Sequence, residues 1–294
     1  MFSSTHCSPL PPYIRLVSFC LLSGNQLIAV NGTTGASLWN YTTTDFVASA
    51  PALSSDGTVA FVGGVDGLMH AVNIDSGTRK WAYNASQAVW APPMLNEEIG
   101  LICFGSGGAA NPYANTHATV HCLDPTTGSR VWKYSVGSSQ IQSCPTLDHS
   151  NRTLFVGVYD GRLLALNVQT GALKWEAKTG GRVESSPSTY IDMISHREMV
   201  VAGSADGFVY AWDVLKGTEV WKTKLGSQVG SSPAVDIDGR IYIGGDPGVF
   251  SLNGTTGAVI WEYKTKALVG SSPALLSDGS LVVGGEDGYL YKFR

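Results

Sequence analysis

The sequence is poor in charge and contains no long apolar or helical segment. Only 14% of its 294 residues are charged, the formal net charge is −4, and lysines and arginines are scattered along the chain. A nucleic-acid-binding domain usually carries a basic patch, so this composition argues against nucleic acid as a partner. The apolar run 16–22 is far shorter than the roughly 20 residues that cross a bilayer, so we predict no transmembrane segment. No stretch repeats its apolar residues every 3.6 positions, so we expect almost no helix.

The spacings that indicate a metal site or a catalytic site are also missing. The five cysteines show no Cys-x-x-Cys spacing, and the H-E-x-x-H pattern of a zinc-binding helix does not occur. We therefore predict no metal ligand and no catalytic residue. Cys103 and Cys122 fall on neighbouring predicted strands and can pair only if the strand registers match. His70 and His121 occupy equivalent repeat positions, where we expect them at the surface or at a seam between repeats.

What the sequence has in abundance is a repeated phrase with a period of about 40 residues. Its first copy reads Ala29-Val-Asn31-x-x-Thr34-Gly35-x-x-x-Trp39, and five further copies follow. The tryptophan of each copy is Trp39, Trp81, Trp132, Trp175, Trp221 or Trp261, and the glycine is Gly35, Gly77, Gly128, Gly171, Gly217 or Gly257. We predict a structural role for both sets.

Each residue type in the phrase has a physical reason. The Asn or Asp side chain accepts hydrogen bonds from backbone N–H groups of a turn, and glycine adopts the positive φ that such a turn needs. Tryptophan carries a large apolar surface, which we expect to lie in the seam between adjacent repeats. One such residue in each repeat would hold neighbouring repeats together.

Each period divides into four short apolar runs separated by turn residues. In the clearest copy we predict strands at Ser231–Val235, Arg240–Ile243, Val249–Leu252 and Val259–Tyr263. Four antiparallel strands joined by tight turns form one blade of a β-propeller. We therefore predict an all-β chain that forms a single propeller domain over residues 1–294.

The blade count follows from a proline that recurs near the start of each repeat, at Pro9, Pro51, Pro93, Pro145, Pro187, Pro233 and Pro273. Seven prolines predict seven blades, and eight remain possible if the chain is truncated. The last blade ends after its third strand. Either residues before Pro9 close the ring or a terminus is missing.

The start of the chain has two interpretations. Residues 16–31 align with residues 58–73 at an offset of 42, which makes them part of a blade. A signal peptide over residues 1–24 is the competing interpretation. On the first interpretation the cytoplasm is slightly favoured over a secreted or periplasmic location.

The phrase resembles the tryptophan-docking motif A-x-D-x-x-T-G-x-x-x-W of quinoprotein-like propellers, which are built from pyrroloquinoline quinone (PQQ) repeats. This resemblance covers nearly the whole chain. It implies the propeller fold and two kinds of function. Some members are PQQ-dependent dehydrogenases, while others are non-catalytic, such as the lipoprotein that helps to assemble outer-membrane β-barrels. A propeller domain of a multidomain acyl-activating enzyme is a third possibility that the resemblance implies.

The dehydrogenases of this family hold PQQ between a tryptophan and a disulfide of adjacent cysteines, with Ca²⁺ beside it. The present sequence has no Cys-Cys pair and is about half as long as those enzymes. We therefore expect a non-catalytic scaffold without a cofactor that binds protein or peptide partners, as a monomer or within a larger assembly. A quinone-linked oxidoreductase using PQQ and Ca²⁺ is the alternative.

Functional residues of a repeat protein are expected where one copy departs from the others. Positions near the start of the innermost strands predict one rim of the propeller. On that rim Trp90, Gln140, Gln142, Arg182, Glu184 and Gln228 form a polar and aromatic arc. The alternative is that Arg182 and Glu184 merely pair at a solvated rim while Trp90 packs locally.

Two insertions also break the repeat. The insertion at residues 105–118 carries Tyr113 and His117, which we predict as further binding candidates because loops on a rigid scaffold often carry recognition. The smaller insertion around residues 192–198 is expected to be neutral.

Overall fold

The computed structural model describes residues 17–21, 24–47, 49–108 and 117–294. These residues form β-strands and turns but no helix, and hence none that could span a membrane. They divide into two compact units, residues 17–142 and residues 143–294. In both units, consecutive strands pair antiparallel to form small sheets.

The first unit contains three sheets in its described part. Sheet 1 consists of β1 (Val17–Leu21), β2 (Gln26–Asn31) and β3 (Ser37–Thr42). Sheet 2 consists of β4 (Ala52–Leu53), β5 (Val59–Gly63), β6 (Leu68–Asn73) and β7 (Arg79–Asn84). Sheet 3 consists of β8 (Met94–Asn96), β9 (Leu101–Ser106), β10 (His117–Leu123) and β11 (Arg130–Ser138).

The second unit contains four sheets. Sheet 4 consists of β12 (Thr146–Leu147), β13 (Thr153–Gly157), β14 (Arg162–Asn167) and β15 (Leu173–Lys178). Sheet 5 consists of β16 (Ser188–Ile191), β17 (Glu198–Gly203), β18 (Phe208–Asp213) and β19 (Glu219–Lys224). Sheet 6 consists of β20 (Ala234–Val235), β21 (Arg240–Gly245), β22 (Gly248–Asn253) and β23 (Val259–Tyr263), and sheet 7 of β24 (Ala274–Leu275), β25 (Leu281–Gly284) and β26 (Leu290–Phe293).

The seven sheets confirm the predicted blades, and sheet 7 has the three strands that the sequence predicts for it. The first strand of sheet 6 is shorter than predicted, because only Ala234–Val235 pair with β21. Pro233 lacks an N–H group for a sheet ladder. The hydroxyl of Ser231 instead accepts a hydrogen bond from the Gly244 N–H at 3.1 Å.

The alignment of the chain's first repeat is also confirmed. Strands β1, β2 and β3 match β5, β6 and β7 at an offset of 42 residues, and β1 pairs with β2 in the same register as β5 with β6. Residues 17–21 and 26–31 are therefore part of a sheet. Pro9, which predicts the first strand of this sheet, lies outside the described residues.

The core lies between neighbouring sheets. The second and third strands of a sheet are almost entirely buried, as in β5 and β6, because a sheet packs on each of their faces. Fourth strands expose alternate residues, and they carry lysine or arginine in sheets 2 to 5. Charged side chains on outer strands prevent edge-to-edge association with other molecules.

The repeated tryptophans join neighbouring sheets, as predicted. The indole of Trp39 donates to the Ile74 carbonyl at 2.6 Å and lies against Gly77, where an added Cβ would come within 2.7 Å of Cδ2. The same arrangement recurs for Trp81 on Gly128, Trp175 on Gly217 and Trp221 on Gly257. The glycine is needed both for its positive φ and because the preceding indole occupies the space of a side chain.

Candidate functional site

The predicted rim residues fall into both units. Trp90, Gln140 and Gln142 belong to the first unit, whereas Arg182, Glu184 and Gln228 belong to the second. A single arc of all six stays a prediction.

In the second unit, Arg182 and Glu184 form an ion pair, and 46% and 27% of their side chains are exposed. Tyr159 completes the cluster, since the Arg182 guanidinium carbon lies 5.9 Å from the centre of the Tyr159 ring. Burial raises the pKa of the Tyr159 phenol, and the adjacent Glu184 carboxylate raises it further through its charge and a hydrogen bond. The phenol therefore stays protonated at neutral pH. We call Tyr159, Arg182 and Glu184 the rim cluster.

The backbone fixes the direction of these side chains. Val183 lies between Arg182 and Glu184, is fully buried, and its N–H donates to the Val158 carbonyl at 3.0 Å. In an extended segment, alternate side chains point to opposite faces. Arg182 and Glu184 therefore share the face opposite to Val183. The Arg182 carbonyl accepts the N–H of Ala205 from sheet 5 at 2.9 Å, which anchors this segment to the neighbouring sheet.

Glu184 is an exception within the repeat. The same position in the next two sheets is Gly230 and Gly270. A Cβ built on Gly230 would lie 3.4 Å from a carboxylate oxygen of Glu184, so the neighbouring backbone beside this carboxylate bears no side chain. Sequence reasoning missed Tyr159. The sequence does mark Tyr159 as an exception within the repeat. It precedes a turn aspartate, and the residue at that position is Val65 in sheet 2 and Ala205 in sheet 5.

In the first unit, Trp90 packs against the start of the long insertion. A Cβ on Gly108 would come within 2.4 Å of the Trp90 Nε1 atom. This nitrogen is buried and has no hydrogen-bond partner among the described residues. Gln140 and Gln142 are half-buried on either side of the buried Ile141. Trp90 thus makes local packing contacts, and its role in binding stays a prediction.

The insertion itself is described only at its ends. His117 is exposed and begins β10, where it pairs with Ser138. Tyr113 lies outside the described residues. The binding role of this loop stays a prediction.

His70 and His121 are buried at seams, so the expectation of a surface position was wrong and that of a seam was right. The Nδ1 atom of His121 is 3.2 Å from the Tyr83 hydroxyl of the preceding sheet, and its Nε2 atom is 2.9 Å from Ser106 Oγ. Burial lowers the pKa of His121 to about 4, and Lys133 and Arg130 add to this effect. The imidazole is therefore neutral, and its contacts with Tyr83 and Ser106 indicate a structural role.

His70 occupies the equivalent seam one sheet earlier. Its Nδ1 atom lies 3.0 Å from the Tyr41 hydroxyl and its Nε2 atom 3.2 Å from Asp66. Burial lowers the pKa of His70, while the Asp66 carboxylate opposes this shift. Asp66 also accepts the N–H of Leu68 at 3.1 Å, a contact typical of an aspartate in a turn.

Cys103 and Cys122 face each other directly on β9 and β10 and form a disulfide, with their Cα atoms 4.2 Å apart. The sequence left this pairing open because spacing alone does not define strand register. Cys144 is a free, fully buried thiol, and burial raises its pKa to about 12. Such a thiol is a poor nucleophile at neutral pH.

Two features of the chain differ from the PQQ and Ca²⁺ site of the dehydrogenases that the sequence resembles. The sequence has no adjacent cysteines. Within the described part of the chain, no three His, Cys, Asp or Glu side chains lie close enough together to hold one metal ion. The absence of this cofactor stays a prediction.

Comparison with solved structures identifies the fold. A europium-containing methanol dehydrogenase matches with a TM-score of 0.70 at 15% identity, over 91% of this chain and 71% of the other. BamB from Moraxella catarrhalis matches with a TM-score of 0.54 at 20% identity, over 94% and 95% of the two chains. Both neighbours are β-propellers, and the present chain has the same fold.

Sequence comparison gives a relative and a family. The quinoprotein alcohol dehydrogenase PedH of Pseudomonas putida is 28% identical over 136 residues, which are 45% of this chain but only 22% of PedH. The family model described as "Outer membrane protein assembly factor BamB" matches residues 14–98, 116–222 and 205–294. Since these segments cover most of the sequence, the chain belongs to this family of PQQ-repeat β-propellers.

Proposed function

We propose that this protein is a non-catalytic binding or assembly scaffold that contacts a protein or peptide partner through the rim cluster. The observation that carries the proposal is the Arg182–Glu184 pair with Tyr159, which lies beside the bare backbone of Gly230. Membership in the BamB family supports an assembly role. The fold supports it as well, because a rigid repeat scaffold presents exceptional residues at fixed positions.

The chemistry of the rim cluster suits recognition better than stability. An exposed ion pair contributes only about 0–1 kcal/mol to folding. Arg182 offers a planar set of donors for a partner carboxylate, and Glu184 offers an acceptor for a partner amine or backbone N–H. The Tyr159 ring adds a surface on which an apolar or aromatic side chain can pack. A peptide backbone can approach Gly230 closely because that residue has no side chain.

A peptide array tests this proposal. The purified chain is applied to an array of random 12-residue peptides, and the peptides it binds are measured again in solution with Arg182→Ala and Glu184→Gln. We expect each change to weaken the selected peptides about tenfold or more. Arg162→Ala is the matched control, because Arg162 is also ion-paired, to Asp160 and Glu176, in the same unit. The proposal fails if the two rim variants bind the same peptides with unchanged affinity.

A quinone-linked oxidoreductase is the alternative, and the similarity to PedH over 45% of the chain favours it. Titration with PQQ and Ca²⁺, followed by tryptophan fluorescence, distinguishes this function from the scaffold. Saturable quenching that Trp90→Ala or Glu184→Ala abolishes would support the oxidoreductase and contradict the scaffold.

We also infer a location from the Cys103–Cys122 disulfide. Disulfides persist mainly in oxidising compartments, so this pair favours a compartment outside the cytoplasm over our cytoplasmic expectation. Alkylation of the denatured protein as isolated from its source, followed by mass spectrometry, checks this inference. Free thiols at both positions would contradict it.

A further inference from the structure

A turn region in the second unit exposes an unusual number of large apolar side chains. Met193 and Ile194 belong to the short insertion between β16 and β17, and Ile237 lies in the corresponding turn of sheet 6. Their exposures are 56%, 77% and 93%. Together with the half-exposed Ile260 on β23, we call them the apolar turn face.

In sheets 2, 3 and 4, the corresponding turns carry polar groups that hydrogen-bond to a neighbouring sheet. In the first unit, the Glu97 carboxylate of sheet 3 accepts the Ser55 N–H of sheet 2 at 3.1 Å. In the second unit, the Glu198 carboxylate of sheet 5 accepts the His149 N–H of sheet 4 at 2.6 Å. Between sheets 5 and 6, apolar side chains stand exposed instead. The repeat therefore does not require them, and exposed apolar patches commonly mark interaction sites.

Two members of the apolar turn face, Met193 and Ile260, line one groove, and Ile194 and Ile237 are chain neighbours of the lining residues Met193 and Asp238. A Cβ on Gly239 would lie 3.7 Å from Met193 Cγ, so the two turns are in contact. The groove is lined by Tyr190, Met193, Gly239 and Ile260, with Asp238 and Arg240 at its polar side. The insertion that we expected to be neutral thus forms one wall of a groove.

Carboxylates dominate the charge at this groove. Burial alone would raise the pKa of Asp192, but hydrogen bonds from Ser195 and Thr255 lower it to about 2, so this buried carboxylate adds negative charge beside the groove without being exposed itself. Asp236 and Asp238 add two carboxylates and Arg240 adds one guanidinium. Asp238 is exposed, and its carboxylate forms no ion pair with the described residues.

We propose that the apolar turn face binds a segment of a partner protein that carries apolar side chains next to lysine or arginine. The apolar side chains pack on the apolar turn face, and the basic ones contact the carboxylates of Asp236 and Asp238. A second copy of this chain fits less well, because a twofold contact would bring the same carboxylates together. This surface is distinct from the rim cluster and does not depend on it.

Two designed peptides test the proposal. The probes are fluorescein-labelled heptapeptides of alternating leucine and lysine, or of alternating leucine and glutamate, and binding is followed by anisotropy. We expect the lysine peptide to bind and the glutamate peptide not to bind. Ile194→Ser and Ile237→Ser should each weaken the lysine peptide about tenfold, since each removes most of an apolar side chain. Asp238→Lys should weaken it as well.

Two control variants test whether binding is specific to the apolar turn face. Leu290→Ser removes a side chain that is 76% exposed elsewhere in the same unit and should leave binding unchanged. Arg182→Ala should also leave it unchanged, so failure of the rim proposal and failure of this one can be told apart. Near-UV circular dichroism confirms that each variant is folded.

Several results would overturn the proposal. These are equal binding of the two peptides, unchanged affinity in both serine variants, or no saturable binding of the lysine peptide up to about 1 mM. Sedimentation that shows a dimer abolished by Ile194→Ser would assign the face to a second copy instead.

Discussion

Neighbouring sheets in the first unit are joined by hydrogen bonds between imidazole and phenol, whereas those in the second unit are joined by serine hydroxyls. Tyr41 contacts His70, and Tyr83 contacts His121, each pair linking two sheets. The repeat position that these histidines occupy holds Tyr210 in sheet 5 and Phe250 in sheet 6. Tyr210 instead donates to Asp206 of its own sheet at 2.6 Å.

The serine hydroxyls of the second unit form a row along the first strands. Ser186 accepts the Cys144 N–H at 2.9 Å, Ser232 accepts the Ser186 N–H at 2.9 Å, and Ser272 accepts the Ser232 N–H at 3.1 Å. The same position in the first unit is Ala50 or Pro92, which offers no hydroxyl. We call this set the serine row.

The comparison shows that the repeated motif determines one contact between neighbouring sheets, that of tryptophan with glycine. It does not determine the polar contacts between them. Tryptophan on glycine recurs in both units, while the polar contacts differ. A buried N–H or hydroxyl must find a partner, but any neighbour of suitable geometry will serve. Neighbouring sheets therefore pack in the same way in both units, although different side chains make the polar contacts.

The largest effect is expected at the contact between tryptophan and glycine, which is found within each of the two units. Gly77→Ala forces a Cβ to within 2.7 Å of the Trp39 ring at a φ of +67°, and Gly217→Ala does the same to Trp175 at 2.5 Å. We expect a loss of about 2–5 kcal/mol in the free energy of unfolding in either case. Urea denaturation measures it.

Gly35→Ala is the matched control, because Gly35 has a φ of +71° but nothing within 4 Å of an added Cβ. This change should cost only about 1–2 kcal/mol for the backbone conformation. If Gly35→Ala and Gly77→Ala lower the free energy of unfolding equally, the preceding indole does not contribute to the need for glycine at position 77.

The next effect belongs to the second unit alone. The double change Ser186→Ala and Ser232→Ala leaves the N–H groups of Cys144 and Ser186 without their acceptors. We expect about 1–3 kcal/mol for each lost acceptor, measured by urea denaturation. Ser277→Ala, at an exposed turn, serves as the control and should be neutral. A neutral double variant would show that the serine row is not needed for stability.

A smaller effect is expected in the first unit from His121→Phe, which introduces the residue type that sheet 6 has at this position. The new ring can still stack on Phe104, as His121 does at 5.2 Å between ring centres. The Tyr83 and Ser106 hydroxyls lose their partner, so we expect a loss of about 1–2 kcal/mol in thermal unfolding. Adding Ser106→Ala should recover part of this loss. No recovery would argue that the Ser106 contact is unimportant.

The smallest effect, near neutral pH, is a dependence of stability on pH. The pKa of His121 is about 4 in the folded chain and near 6.5 when unfolded, so the unfolded state binds more protons between these values. Stability is therefore full above pH 6.5 and falls as the pH is lowered towards 4, by roughly 1 kcal/mol at pH 6. His70 acts in the same direction, since its pKa is also lowered.

The second unit provides the internal control for this pH dependence. Tyr210 occupies the same repeat position as His121, and burial together with Asp206 raises its pKa to about 12, far from this range. Hydrogen exchange of β10 and β18 amides between pH 7 and pH 5 should show weakening first in β10. Equal weakening of the two strands, or an unchanged pH profile in His121→Phe, would contradict the assignment to His121.

Much of the fold could be predicted because each repeat encodes its own turns. Asn73 accepts the N–H groups of Asp75 and Ser76 as its place in the motif predicts, and the last strand of sheet 6 begins and ends at the predicted residues. Less of the site could be predicted. Tyr159 reaches Arg182 from a different turn, and the groove is lined by Met193 and Ile260, which belong to different sheets.

The sequence by itself determined the all-β repeat, the number of sheets and the residues that join them, because turn chemistry and apolar periodicity act within a few residues. Tertiary structure decided whether Cys103 meets Cys122, which partner His121 takes, and that Met193 and Ile260 line one groove. These outcomes depend on strand register and on the packing of one sheet against the next. Register and packing are properties of distant segments together, so no local pattern contains them.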